Sequence, residues 1–179
     1  MEVGLFLIHA VVGLLIAAHG AQKLFGWFGG SGIEGTGGMM ESLGLVPGRQ
    51  MALVAGAAEF AGGILLALGL FVPAAAVLIA STYLVAARTA HAGKGPWNGN
   101  GGWEYVLVLS TVAVGLAFNG AGKWSLDHAI GWDVSGLWWG IGAALVALVG
   151  AVAVLAGTRR MSNASRGALG DTGPVAGTR

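Results

Sequence analysis

Five apolar runs, each near the length of a membrane crossing, alternate along the chain with short segments rich in glycine and tryptophan. They cover residues 3–25, 50–70, 73–91, 103–118 and 136–156. A helix of about 20 apolar residues crosses the hydrocarbon core, and lipid offers unpaired backbone groups no partner, so each run is predicted to be a transmembrane helix. Pro73 suits the first turn of the third run, where its fixed φ and missing N–H cost nothing. Between the first two runs, residues 26–48 combine many glycines with Trp27, Phe28 and the stretch 39–45, a pattern that predicts a re-entrant or interfacial cap. Residues 92–102 read as a turn-rich loop and residues 119–134 as an amphipathic connection.

This is the pattern of an all-α polytopic membrane protein, and composition supports it: 55% of the 179 residues are hydrophobic and 9% charged. Little chain is left for an extramembrane domain, which places any chemistry in the bundle or its loops. A formal net charge of +1 gives no reason to expect nucleic acid as a partner. The absence of cysteine excludes thiolate catalysis, persulfide carriage and Cys-ligated clusters within the chain. Met1, Glu2 and Val3 form no basic leader, and the first run continues past signal-peptide length, so it is read as a retained span.

Charge also orients the layout. Lys23, Arg49, Arg88, Lys94, Arg159, Arg160, Arg166 and Arg179 fall on one side of the five spans and Lys123 on the other. The positive-inside rule makes the first side cytoplasmic, with the N-terminus outside and the C-terminus inside a bacterial inner membrane. Trp124, Trp132, Trp138 and Trp139 gather at the opposite boundary, as an aromatic belt would. The polar, basic residues 158–179 are expected to form a disordered cytoplasmic tail.

Ionisable groups inside such runs are the candidate chemistry, because in hydrocarbon each must pair or line a polar cavity. His19 and Lys23 end the first span, Arg88 and His91 the third, and Glu104 and Tyr105 open the fourth. All of them reach the cytoplasmic side. Glu59 lies near the middle of the second span, where an unpaired carboxylate is least tolerable. His19 and Lys23 are spaced i, i+4 and Arg88 and His91 i, i+3, so either pair can face a common cavity. His9 points about 80° away from His19 and is left outside the site.

Plainer readings compete. Lys23, Arg88 and Glu104 are close enough to span ends to reach water, Glu59 can be a paired carboxylate that locks helix packing, and His19 can make a single interhelical hydrogen bond. A bis-histidine haem fits poorly, since His19 and His91 differ in depth by about 9 Å when the spans are aligned at their ends. The sequence fixes no metal-ligand geometry and contains no nucleotide-binding glycine fingerprint. Neither haem nor metal is expected.

The run 19–26 (His-Gly-Ala-Gln-Lys-Leu-Phe-Gly), Gly35-Thr36, the stretch 43–45, the run 59–63 (Glu-Phe-Ala-Gly-Gly), His91, the run 101–105 (Gly-Gly-Trp-Glu-Tyr) and Ser125-Leu126-Asp127 together resemble the DoxX family. The resemblance covers about residues 4–130 and implies a four-helix membrane module over residues 1–134, linked in some relatives to thiosulfate and quinone redox chemistry. The chain departs from that module at Ala121, where relatives commonly have proline, and in a fifth C-terminal transmembrane helix over residues 135–157. Small residues at 136, 140, 144, 147 and 151 form one stripe on that helix, suited to close packing against the bundle or a second subunit.

The expectation that follows is a membrane subunit of a quinone-linked oxidoreductase system. A polar cavity near the cytoplasmic side would hold a quinone headgroup or small anion. Glu59, His19, His91 and Glu104 are the candidates for proton exchange, and Lys23, Arg88, Tyr105 and Trp103 for ligand binding. Electrons would come from a redox partner protein or a diffusible donor. The alternatives are a transporter of a small molecule or lipid, for which a cavity opens to water on both faces, and a membrane scaffold whose charges close on themselves with no cavity beside Glu59.

Overall fold

The computed structural model describes residues 2–170, with side chains over residues 2–164. The described residues are helical and contain no strand. In chain order the helices are α1 (Glu2–Phe25), α2 (Gly32–Ser42), α3 (Gly48–Leu68), α4 (Val72–Thr89), α5 (Glu104–Asn119), α6 (Leu126–Ala129) and α7 (Leu137–Gly170). Four of them, α1, α3, α4 and α7, are long and apolar enough to cross a membrane. α5 is apolar but has only 16 residues.

The five expected spans thus correspond to α1, α3, α4, α5 and α7, and the fold is a polytopic helical membrane bundle. Hydrogen bonds at its two ends show that α5 runs the full height. Before α5, His91 and the loop leading to Gly101 join at the C-terminal end of α4. After it, Asp127 reaches the backbone N–H groups of Phe71 and Val72 at the N-terminal end of α4, 2.9 and 3.3 Å away. One end of the bundle therefore gathers Lys23, Arg49, Arg88, Lys94 and Arg159, and the other Glu2, Lys123, Trp124, Trp132 and Trp138.

Close backbone contact sets the α1–α3 pair, the most extensive in the bundle. Gly13 meets the α3 backbone at Gly63 and Ala67, Gly20 meets it at Gly56 and Phe60, and Gly63 meets α1 at Gly13 and Ala17; a Cβ at any of the three would collide with backbone. Without a solvent-driven hydrophobic force between helices in lipid, such small-residue faces are what allow tight association. α4 occupies the centre, packed on α3, α5 and α7, and its Val72, Ala75, Ala76 and Ile79 are fully buried. The expected cap between the first two spans contains α2, which lies against α3 and α1 and buries Thr36, Gly37 and Met40.

Residues 158–170 depart from expectation. They continue α7 without a break, where composition predicts disorder from 158 onward; residues 171–179 of that tail lie outside the described residues. Propensity accounts for much of the difference: residues 159–161, 164, 166, 168 and 169 are Arg, Met, Ala or Leu, good helix formers that extend an already nucleated helix at little cost and outnumber Ser162, Asn163, Ser165 and Gly167. The small-residue stripe packs inside the chain, with Ala147 and Ala151 buried and Gly140 seated against the Phe118 ring. Gly136 precedes the helix, and its N–H donates to Phe118 O at 2.7 Å.

Candidate functional site

The tight α1–α3 pair carries the site. Side chains on a helix lean toward its N-terminus, so Lys23, in the last turn of α1, leans back into the bundle instead of out to water. Glu59 sits midway along α3, which runs in the opposite direction, and leans toward the same level. The Lys23 ammonium donates to Glu59 Oε1 in an ion pair. The carboxylate side chain is 1% exposed and the lysine side chain 22%. Among the described residues, Glu59 Oε2 is buried without a hydrogen-bond partner.

Both tyrosines of the chain, Tyr83 of α4 and Tyr105 of α5, lie close enough to this carboxylate to be influenced by its charge. Tyr83 is buried, with a hydroxyl that has no partner among the described residues. The Tyr105 ring lies against His19, centroids 5.6 Å apart, and His19 Nδ1 is 3.3 Å from Leu15 O of its own helix. Helices α1, α3, α4 and α5 thus each contribute to one polar cluster in an otherwise apolar core. A buried polar group without a partner costs about 1–3 kcal/mol, and two of them here mark a place with unspent hydrogen-bonding capacity.

A cavity of about 410 Å³ reaches this cluster at Lys23, while Glu59, Tyr83, Tyr105 and His19 stand behind its wall. It lies between α2, α3 and α4, and Met39, Met40 and Met51 line much of it; Lys23 and His91 supply its ionisable groups, and Ser81, Thr82 and Thr89 its hydroxyls. Methionine side chains are flexible and polarisable, which suits a wall that adapts to a ring or chain. His91 Nδ1 is 2.7 Å from Gly101 O. A carbonyl only accepts, so Nδ1 carries a proton and Nε2 remains the ring atom able to take up or release one. The volume falls within the few-hundred-Å³ range of small-molecule sites.

Comparison with known proteins agrees with the motif reading. The DoxX family model matches residues 4–92, which spans α1 to the end of α4. "Putative oxidoreductase CatD" of Bacillus subtilis (strain 168) is 33% identical over 126 residues, covering 70% of this chain and 86% of that one. The chain belongs to the DoxX family. No solved structure matches it.

In this DoxX chain the motif residues have separable physical tasks. Gly20 and Gly63 bring α1 and α3 together, Lys23 and Glu59 form the ion pair, and Gly102 fits against Gly95 and Pro96 to close the α4–α5 loop on His91. Asp127, 1% exposed, caps α4 with both carboxylate oxygens while its own N–H donates to Gly69 O at 3.0 Å.

The residues singled out in the sequence divide into three groups. Glu59, Lys23, His19 and Tyr105 come together in the cluster, and His91 shares the cavity with Lys23. Glu104 opens α5 with its N–H donating to Pro96 O at 2.8 Å, and its carboxylate makes no ion pair among the described residues. Trp103 precedes it, 39% exposed. Arg88 turns away from Lys23 into a separate cleft beside α7. Tyr83 is the residue the sequence reading missed; a lone tyrosine in an apolar span was its only signal.

His9, set outside the site, is 2% exposed in the other half of α1. Its Nδ1 lies 2.9 Å from Leu66 O, a terminal carbonyl of α3. That bond joins the two helices at the tryptophan-rich end, far from Glu59.

Proposed function

We propose that the protein is a membrane subunit of a quinone-linked oxidoreductase system and binds the quinone in the methionine-lined cavity, its headgroup toward Lys23 and His91. The observation that carries this reading is the conjunction of an apolar, ligand-sized cavity with an ion pair whose carboxylate keeps one buried oxygen unpartnered. A scaffold with a closed charge network predicts no cavity beside Glu59, and this one comes as close as Lys23, its ion-pair partner. The family relationship, with a relative whose printed name is that of an oxidoreductase, supports the redox setting.

The residues fit the headgroup's chemistry. Quinone carbonyl oxygens accept hydrogen bonds, and the Lys23 ammonium is a donor at the cavity wall. A quinone, when bound, takes up two electrons and two protons. Proton exchange falls to His91, which lines the cavity with Nδ1 bonded to Gly101 O and Nε2 outside that bond, and to Glu59, which reaches the cavity through its ion pair with Lys23. The chain has no cysteine, so electrons come from a partner protein or a diffusible donor. The same reading puts the Lys- and Arg-rich end in the cytoplasm, by the positive-inside rule.

The test is purification in mild detergent, mass spectrometry of co-purifying quinone, and titration of stripped protein with a short-chain ubiquinone followed by tryptophan fluorescence. Binding by wild type, weakened at least tenfold in His91→Gln with unchanged thermal stability, is the expected result. Absence of any bound or titrating quinone, with a polar solute crossing proteoliposomes that contain the protein, would move the function to transport.

A further inference from the structure

Arg88 does not line the cavity that reaches Lys23; it lines a cleft of its own. About 380 Å³ in volume, it lies between the end of α4, the α2–α3 turn and the extended part of α7. Two guanidinium groups face it, Arg88 and Arg159. No carboxylate lines it, and neither arginine forms an ion pair among the described residues, whereas Arg49 nearby is bonded to Glu34 at 3.0 Å. Two like charges in one cleft without a counter-ion repel each other, and an anion between them removes that cost.

Neutral donors complete the lining. The hydroxyls of Thr89 and Thr158 are committed to carbonyls of their own helices. The side chains of Ser162 and Asn163 make no hydrogen bond among the described residues and lie one turn beyond Arg159 on α7. Planar guanidinium forks with hydroxyl and amide donors are the set that recognises phosphate oxygens, since each fork can present two parallel N–H groups.

Depth identifies the source of the phosphate. The apolar part of α7 runs from Leu137 to about Ala156, a rise of about 30 Å at 1.5 Å per residue and equal to the hydrocarbon thickness, so Arg159 stands at the level of lipid headgroups. Leu43, Leu45 and Leu155 form the apolar side of the same cleft. A charged head beside an apolar wall at this depth matches an amphiphile better than a dissolved ion, and basic pockets between membrane helices are where anionic lipid heads dock.

We infer that Arg88 and Arg159, with Ser162 and Asn163, form a binding site for the phosphate of an anionic phospholipid that fastens the α7 extension to α4. The site does not depend on the quinone reading. It also gives residues 158–164 a reason to remain helical beyond the membrane, because their polar face is the wall of the cleft.

Thermal unfolding of the delipidated full chain in detergent tests this, with added phosphatidylglycerol, phosphatidylcholine or inorganic phosphate. Phosphatidylglycerol should raise the unfolding temperature and phosphatidylcholine should not. Arg88→Gln with Arg159→Gln should weaken that lipid's apparent affinity by about tenfold or more, as expected for two arginines at the headgroup level, while Arg49→Gln should leave it unchanged. Equal stabilisation by both lipids, an undiminished response in the double variant, or a response to inorganic phosphate as large as that to phosphatidylglycerol would each overturn the assignment.

Discussion

Lys23 and Glu59 hold each other across the α1–α3 contact, but they are unequally exposed: the lysine side chain retains 22% of its exposure and the carboxylate 1%. Breaking the pair from either side is therefore not symmetrical. Lys23→Met strands a carboxylate in the core, and loss of one partner of a buried pair costs about 3–5 kcal/mol before the carboxylate takes up a proton. Glu59→Gln leaves a lysine that can swing toward water, for about 1–2 kcal/mol. Unfolding measurements should rank Lys23→Met as the more damaging variant and the double variant as milder than the sum of the two. An additive double variant would show that the pair is not coupled.

Tyr83→Phe tests whether the buried hydroxyl holds the fold together. The hydroxyl it removes is buried and unpartnered among the described residues, so its loss should leave the stability of the ligand-free protein unchanged or raise it by up to about 1 kcal/mol. A drop of 2 kcal/mol or more would mean that the hydroxyl has a structural partner in the membrane.

Asp127 has a purely mechanical prediction. Its two oxygens accept the N–H groups at the start of α4, where the helix dipole also favours negative charge. Asp127→Ala should destabilise the bundle by about 2 kcal/mol, and Asp127→Asn, which keeps one acceptor, by about half as much. Hydrogen exchange should show the loss concentrated in residues 71–75.

Gly20→Val places a branched side chain where Gly20 meets the α3 backbone at Phe60. Overpacking of this kind costs about 1–3 kcal/mol, and since backbone cannot yield as a side chain can, the upper part of that range is expected. The same change at Gly4, whose Cβ would meet nothing, should be nearly silent. Comparing thermal stability of the two variants checks the close approach directly.

His91→Ala frees the loop that Gly101 otherwise ties to α4. Limited proteolysis should then cut within residues 93–102 several times faster than in wild type, while the bundle itself keeps its unfolding temperature within a few degrees.

The spans were readable because lipid reduces the permitted elements to helices, so that apolar length alone located α1, α3, α4, α5 and the start of α7 to within a few residues. The pairing of Lys23 with Glu59 was only half legible. A mid-span carboxylate demands a cation, but Lys23 and Arg88 were equally eligible until the packing of α1 on α3 chose between them. Tyr83 carried only a weak signal, a lone tyrosine in an apolar span, since such a residue costs little and its meaning comes from Glu59 on another helix. The helical extension past Ala156 was hidden for a different reason: polar composition predicts disorder, and only the preceding helix and the cleft it lines reverse that.

The brevity of α5 bears on the bilayer itself. At 16 residues it rises about 24 Å, some 6 Å less than an ordinary hydrocarbon core, while Leu107 and Val108 on its outer face are exposed to lipid. A bilayer that thins along that face meets it, whereas α1, with 24 residues, has length to spare and can tilt. The mismatch predicts a thinner membrane along α5, the helix that carries Tyr105, than along α1. Membrane thickness is thus a variable to which this fold responds on one side more than the other.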